Sequence, residues 1–233
     1  MDLKDKIALV TGSTDGLGKQ LAGSLSKLGV KVIVHGRNKE KVDKVVAEIG
    51  AIKGIVCDFN DPKSVAGSFS AIDKLDILVN NAGTWLEGNT IDASPDKILE
   101  LVNVNLASQL LVTRTLLPTL LKAEFGQILN TVSMAGIEIP SGYYHTIYSA
   151  TKYGMQGFSE AMAKEFDNKS IRVMGFYPGG METKIFEKAG NDYMEHEPWM
   201  FDTKESVEAI LFMLTRDPKV NIKRLDLVNH LQK

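Results

Sequence analysis

A chain of 233 residues with 44% hydrophobic and 24% charged content has the make-up of one globular domain. It is too short for two full-sized domains. A formal net charge of −2 argues against a nucleic-acid partner, and no apolar run reaches the length of a membrane span. The single cysteine, Cys57, cannot form an internal disulfide; the charged start Met1-Asp2-Leu3-Lys4-Asp5-Lys6 is read as leaving no room for a signal peptide, so a cytoplasmic location and no membrane partner are expected.

Short β-branched runs alternate with helical patterns, which predicts parallel strands joined by crossover helices. The first strand, Ile7–Val10, runs into Thr11-Gly12-Ser13-Thr14-Asp15-Gly16-Leu17-Gly18 and then a helix whose buried face is expected to be Leu17, Leu21, Leu25 and Leu28. A backbone turning beneath a pyrophosphate must have no Cβ in the way, and the helix after it must aim free N–H groups at that charge. The string therefore reads as a dinucleotide-binding turn. A strand at Lys31–His35 and a helix at Lys39–Ile49 follow, then a strand at Ile52–Cys57, where Cys57 is expected in the core. Asp61-Pro62 pairs a helix cap with a first-turn proline. The fourth strand, Leu75–Asn80, ends in Asn80-Asn81-Ala82-Gly83, at the carboxyl edge where open α/β sheets bind ligands.

A long helix starts at Ser94-Pro95 and runs towards Leu116 or beyond. Its stripe Ile98-Leu101-Val102-Asn105-Gln109-Val112-Leu116 carries the amide of Asn105, which needs a partner because burying it unpaired costs roughly 1–3 kcal/mol. The fifth strand, Gln127–Val132, passes directly to Ser133 in Thr131-Val132-Ser133-Met134-Ala135-Gly136. The helix Tyr148–Asp167 opens with Tyr148-Ser149-Ala150-Thr151-Lys152, a spacing that sets the ammonium beside the phenol. The sixth strand, Ile171–Phe176, leads to Pro178-Gly179-Gly180-Met181-Glu182-Thr183. Residues 180–203 are too long for a simple connection and are expected to be a substrate lid. The helix Lys204–Leu214 and a strand within Val220–Val228 complete the chain.

Together these strings resemble the short-chain dehydrogenase/reductase family, in its single-domain branch, over nearly the whole chain. The resemblance implies a Rossmann-like, doubly wound, seven-stranded parallel sheet with helices on both faces, in one α/β/α domain over residues 1–233. It implies hydride transfer between a nicotinamide cofactor and a carbonyl or alcohol, with Asn105, Ser133, Tyr148 and Lys152 as catalytic residues. Tyr148 would be the general acid/base and Ser133 would bond the substrate oxygen. Lys152 would hold the nicotinamide ribose, and Asn105 would kink its helix and anchor a water. The turn from Gly12 to Gly18 and the loop Asn81, Ala82 and Gly83 would hold the cofactor, with Asp58 and Phe59 near the adenine. Pro178, Gly179, Met181 and Thr183 would contact the nicotinamide carboxamide. The chemistry is coherent: a free tyrosine titrates near pH 10, so a neighbouring ammonium is needed to favour its phenolate.

The string His35-Gly36-Arg37-Asn38 bears on cofactor choice. In the NAD-preferring pattern a carboxylate near this position bonds the ribose 2′-hydroxyl and repels a 2′-phosphate. Here Gly36 precedes Arg37, so NADP(H) is expected with Arg37 as main reader beside Asn38, while NAD(H) stays open. Asp15 is the contrary sign, standing where NADP enzymes of this type often carry a basic residue. Met181, Phe186, Tyr193, Met194, Trp199, Met200 and Phe201, with Trp85, Tyr143 and Tyr144, are expected to wall a partly apolar pocket for a medium-sized ketone or aldehyde. The rival from another class is a non-catalytic cofactor sensor or scaffold, since fold alone never proves activity. A serine hydrolase lacks its Gly-x-Ser-x-Gly elbow, and the scattered histidines give no metal site. A nucleotide-sugar epimerase or dehydratase of the related longer-chain type fits the glycine spacing poorly. The C-terminal stretch Ile222–Asn229 lacks the family's Asp-Gly-Gly, so a homotetramer on that edge is less expected than a homodimer through the long helices.

Overall fold

The computed structural model describes residues 1–139, 142, 144–167, 171–191 and 197–230. Its seven strands are β1 (Ile7–Val10), β2 (Lys31–Gly36), β3 (Lys53–Val56), β4 (Ile77–Asn80), β5 (Gly126–Thr131), β6 (Ile171–Pro178) and β7 (Arg224–Leu227). They form one sheet in the order β3-β2-β1-β4-β5-β6-β7, with every neighbouring pair parallel. The helices are α1 (Gly16–Lys27), α2 (Lys39–Ile49), α3 (Pro62–Phe69), α4 (Pro95–Val102), α5 (Ser108–Leu120), α6 (Thr146–Glu165), α7 (Ile185–Lys188) and α8 (Thr203–Leu214). The expected Rossmann-like sheet is therefore the fold.

Alternation along the strands divides the core in two. Ala8 and Val10 of β1, with Val32 and Val34 of β2, pack beneath α1 and α8. Leu9, Ile33 and Leu78 point the other way, against Phe69 of α3, Val112 and Leu116 of α5 and Met162 of α6. A parallel sheet covered on both faces explains why these strands read as unbroken apolar runs. Strand order reverses at β1: the chain steps outward to β2 and β3, then returns to β4 on the other side. That reversal opens a crevice at the carboxyl ends of β1 and β4, the switch point at which such sheets bind ligands.

Several elements differ from the sequence pattern. Leu28 is 47% exposed rather than buried, because α1 stops at Lys27 and Gly29 takes a left-handed φ of 78°. The helix begun at Ser94-Pro95 is interrupted by a π turn over Asn103–Ala107 before it resumes as α5. The last strand starts only at Arg224, since Val220 closes a turn on Asp217 and its carbonyl accepts from Arg172 (2.6 Å). Residues 180–203 are more than a loop. They contain α7, and Met181 and Phe201 pair as a parallel bridge, with Phe201 N donating to Gly180 O (3.1 Å) and Glu182 N to Phe201 O (3.0 Å). Met181 packs against the core and accepts a hydrogen bond from Ser206. Tyr143, Tyr193 and Met194 lie outside the described residues. Among the described residues no helix is long and apolar enough to cross a membrane.

Candidate active site

The glycine-rich turn is fastened to the loop after β4 by one side chain. The Thr11 hydroxyl oxygen accepts from Asn81 N (2.8 Å) and Ala82 N (3.0 Å), while Asn81 Nδ2 donates to Thr11 O (2.9 Å). Gly12 has a φ of 63°, and a Cβ there would stand 2.8 Å from Ala82 Cα. A Cβ on Gly18 would stand 2.4 Å from Gly12 O. Both glycines are thus required by backbone packing alone. Gly16 (φ 50°) opens α1 and faces Thr183 across the cavity, and Asp15 caps the helix by accepting from Gly16 N (2.8 Å).

His35 links this turn to the far end of the cavity. Its Nδ1 accepts from Gly12 N (3.1 Å), its Nε2 donates to Cys57 O (3.1 Å), and its ring stacks on Phe59 with centroids 4.3 Å apart. Both bonds use the neutral imidazole, and burial pushes its pKa down to about 4. In the sequence His35 is only a polar residue near the end of an apolar strand. A Cβ on Gly36 would meet Thr14 Cγ2 at 2.6 Å, so no carboxylate fits there without moving Thr14. Arg37 is exposed on the cavity wall, with no hydrogen bond or ion pair among the described residues. Asp58 shares that wall and accepts from Asn60 N (3.0 Å).

At the other end, Ser133 follows β5 and Tyr148 and Lys152 lie on α6. A Cβ on Gly136 would stand 2.7 Å from Lys152 O, so a glycine there lets the turn after Ser133 approach α6. Tyr148 is buried, which pushes its pKa up to about 12 against the opposing hydrogen bond from Ser133. Lys152 is also buried, which pulls its pKa down to about 8. Its Nζ donates to Thr131 O (3.1 Å) and lies 5.6 Å from the Tyr148 ring centroid. Asn105 stands behind this group, in the π turn. Its Oδ1 accepts from Thr84 N (2.7 Å), and its Nδ2 donates to Thr84 O (2.9 Å) and Thr151 Oγ1 (3.3 Å).

Trp85 covers Tyr148, with ring centroids 4.3 Å apart, and touches His145 at 4.9 Å and Phe186 of α7 at 5.0 Å. Trp199 follows Phe186 at 5.5 Å and packs so closely on Gly180 that a Cβ there would stand 2.2 Å from its ring. One cavity of about 1100 Å³ joins these parts. It is lined by Gly12, Thr14, Asp15, Gly16, Leu17, Gly18, Arg37, Asp58, Phe59, Asn81, Ala82, Gly83, Ser133, Tyr148, Lys152, Pro178, Gly179, Met181 and Thr183, all singled out from the sequence. Trp85 and Tyr144 line it too. Ser13, Asn38 and Asn105 do not. Ser13 is buried and its hydroxyl accepts from His35 N (3.0 Å), while Asn38 caps α2 by accepting from Lys41 N (2.9 Å). Among the described residues no cluster of His, Cys, Asp or Glu could hold a metal ion.

The family model described as short chain dehydrogenase matches residues 6–194. An uncharacterized oxidoreductase of Staphylococcus aureus is 30% identical over 229 residues, covering 96% of each chain. Two solved structures are each 26% identical. A serine dehydrogenase in its closed form with NADP+ has a TM-score of 0.87 over 97% of this chain and 96% of its own. An actinorhodin polyketide ketoreductase with NADPH has a TM-score of 0.85 over 97% of each.

Proposed function

Because the chain belongs to the short chain dehydrogenase family, we propose that it is an oxidoreductase interconverting a carbonyl and an alcohol, with Tyr148 as general acid/base and NADP(H) as preferred cofactor. One observation carries this reading: a buried phenol, hydrogen-bonded by Ser133 and flanked by the Lys152 ammonium, opens on the same cavity as the glycine-rich turn. The residues present fit a nicotinamide dinucleotide. The cavity reaches from Arg37 to Tyr148, and Gly16 and Gly83 offer it backbone without a Cβ. When bound, that cofactor supplies or accepts the hydride.

The protein's own groups handle the proton. With Tyr148 near 12 and Lys152 near 8, the phenol is neutral and the lysine largely charged at pH 7, an arrangement ready to give a proton to a carbonyl oxygen. Ser133 hydrogen-bonds the same oxygen and fixes its approach. Lys152 favours the phenolate left behind and holds the nicotinamide ribose. Asn105 acts from behind, tying the π turn to Thr84; a water held by that turn would then replace the proton. For NADP(H), support comes from the unpaired Arg37 guanidinium and from Thr14, which leaves no room for a carboxylate at Gly36. Neighbours solved with NADP+ and NADPH agree with it. The aromatic wall of Trp85, Phe186 and Trp199 suits a medium-sized ketone or aldehyde.

The test is NADPH oxidation against a panel of ketones, aldehydes and quinones, with Tyr148→Phe and Arg37→Ala alongside. Tyr148→Phe is expected to lower turnover about 10²–10⁴-fold while still binding NADPH. For the wild type, kcat/KM for reduction should fall as pH rises through about 8, where Lys152 loses its charge. Arg37→Ala should lower the NADPH/NADH affinity ratio about tenfold or more. NADPH binding with no turnover on any substrate would favour the cofactor sensor instead.

A further inference from the structure

The turn from Gly12 to Gly18 contains no cation, and it contains a carboxylate. Asp15 sits at the N-terminus of α1, one oxygen capping Gly16 N. Any diphosphate held at that terminus meets a negative charge already in place, which opposes the attraction of the helix N–H groups. The compensation comes from α7. Lys188 Nζ lies 2.5 Å from the other carboxylate oxygen of Asp15, joining two segments 173 residues apart. Lys184, the residue that precedes α7 at its N-terminus, is exposed on the cavity wall, and its side chain has no hydrogen bond or ion pair among the described residues. Burial pushes the Asp15 carboxyl up, but the Lys188 bond, the Gly16 cap and the charges of both lysines bring it down overall. The other cations on the cavity wall stand elsewhere: Lys152 on Thr131, Arg37 after β2, and Lys97 paired with Glu100.

Resting on the dinucleotide reading above, we propose that Lys188, assisted by Lys184, binds the cofactor diphosphate, and that its pair with Asp15 is the resting state exchanged for that bond. A diphosphate carries more charge than a carboxylate, so it takes the ammonium in preference. The Lys188 side chain is half exposed, so the exchange needs no buried group to move. Asp15 keeps its cap on Gly16 and the nearby charge of Lys184. This site differs in kind from Arg37, which reads the 2′-phosphate at the adenosine end.

Two fragments separate the sites in calorimetric titrations of the full chain. ADP-ribose carries the diphosphate without a 2′-phosphate; adenosine 2′-monophosphate carries the reverse. Lys188→Ala should weaken ADP-ribose about tenfold, or about 1.4 kcal/mol, leave adenosine 2′-monophosphate unchanged, and weaken NADPH and NADH by the same factor. Lys188→Arg should bind ADP-ribose within about twofold of wild type. Asp15→Asn keeps the cap and removes the competing charge, so it should tighten ADP-ribose severalfold. Lys188→Ala binding ADP-ribose as tightly as wild type would overturn the proposal. Weaker binding by Asp15→Asn would do so as well, by showing that the ion pair serves only to seat α7. If the wild type bound neither fragment nor NADPH, the cofactor reading itself would fall with it.

Discussion

The two ends of the cavity are built on different principles. At the end with the glycine-rich turn, position is set by backbone: Gly12 and Gly16 take left-handed φ values, a Cβ on Gly18 or Gly36 would overlap neighbouring atoms, and Thr11 and His35 bond main-chain groups. At the Tyr148 end it is set by side chains from distant segments, with Trp85, Tyr148, Phe186 and Trp199 leaning on one another. The backbone end tolerates almost no change, because each contact is fixed by covalent geometry. The aromatic end can repack, which is where substrate range can change without loss of the fold.

Three experiments test that contrast, in descending order of effect. Gly12→Ala adds a methyl group at a φ of 63° and 2.8 Å from Ala82 Cα. Strain and overlap together should cost about 4 kcal/mol, seen as at least hundredfold weaker NADPH binding or as lost stability in denaturant. His35 should next make stability depend on pH. Its folded pKa near 4 lies below the ordinary 6.5, so the unfolded chain takes up a proton first as pH falls. The stability it contributes is complete above pH 6.5 and declines down to about pH 4, by on the order of 3 kcal/mol. Urea unfolding at pH 7 and pH 5 should show the drop for wild type and a smaller one for His35→Gln. Trp85→Ala should have the smallest and most local effect. It should change substrate KM by about tenfold and leave NADPH affinity within about twofold, as measured by steady-state kinetics and fluorescence titration. A matching loss of cofactor affinity would erase the contrast.

The same contrast explains what could be read in the sequence. Glycines in a turn, a tyrosine four residues before a lysine, and apolar strands bounded by polar residues are local, and Gly12, Gly18, Tyr148 and Lys152 stand where those patterns placed them. Leu28 failed for a local reason as well, since Gly29 unwinds the helix one residue earlier than the leucine spacing suggests. The sequence shows that a buried Asn105 amide needs partners but does not name them: Thr84 and Thr151 reach it only through the tertiary fold. His35 and the Asp15–Lys188 pair were illegible because their partners lie 22 and 173 residues away. The expected lid rests on length and apolar content alone. Neither reveals that Phe201 returns to pair with the strand end at Gly180.

The π turn over Asn103–Ala107 has a consequence for insertions and deletions. Each residue of a regular helix advances the rotation by about 100°, and a π turn is a helix carrying one residue too many. Deleting a residue here would leave a smoother, better-bonded helix, and α4 would then be turned by about that angle relative to α5. Asn105 would swing away from Thr84 while Val112 and Leu116 kept their places under the sheet. The irregularity is therefore the phase adjustment that lets one continuous rod face the core along one half and the Tyr148 end of the cavity along the other.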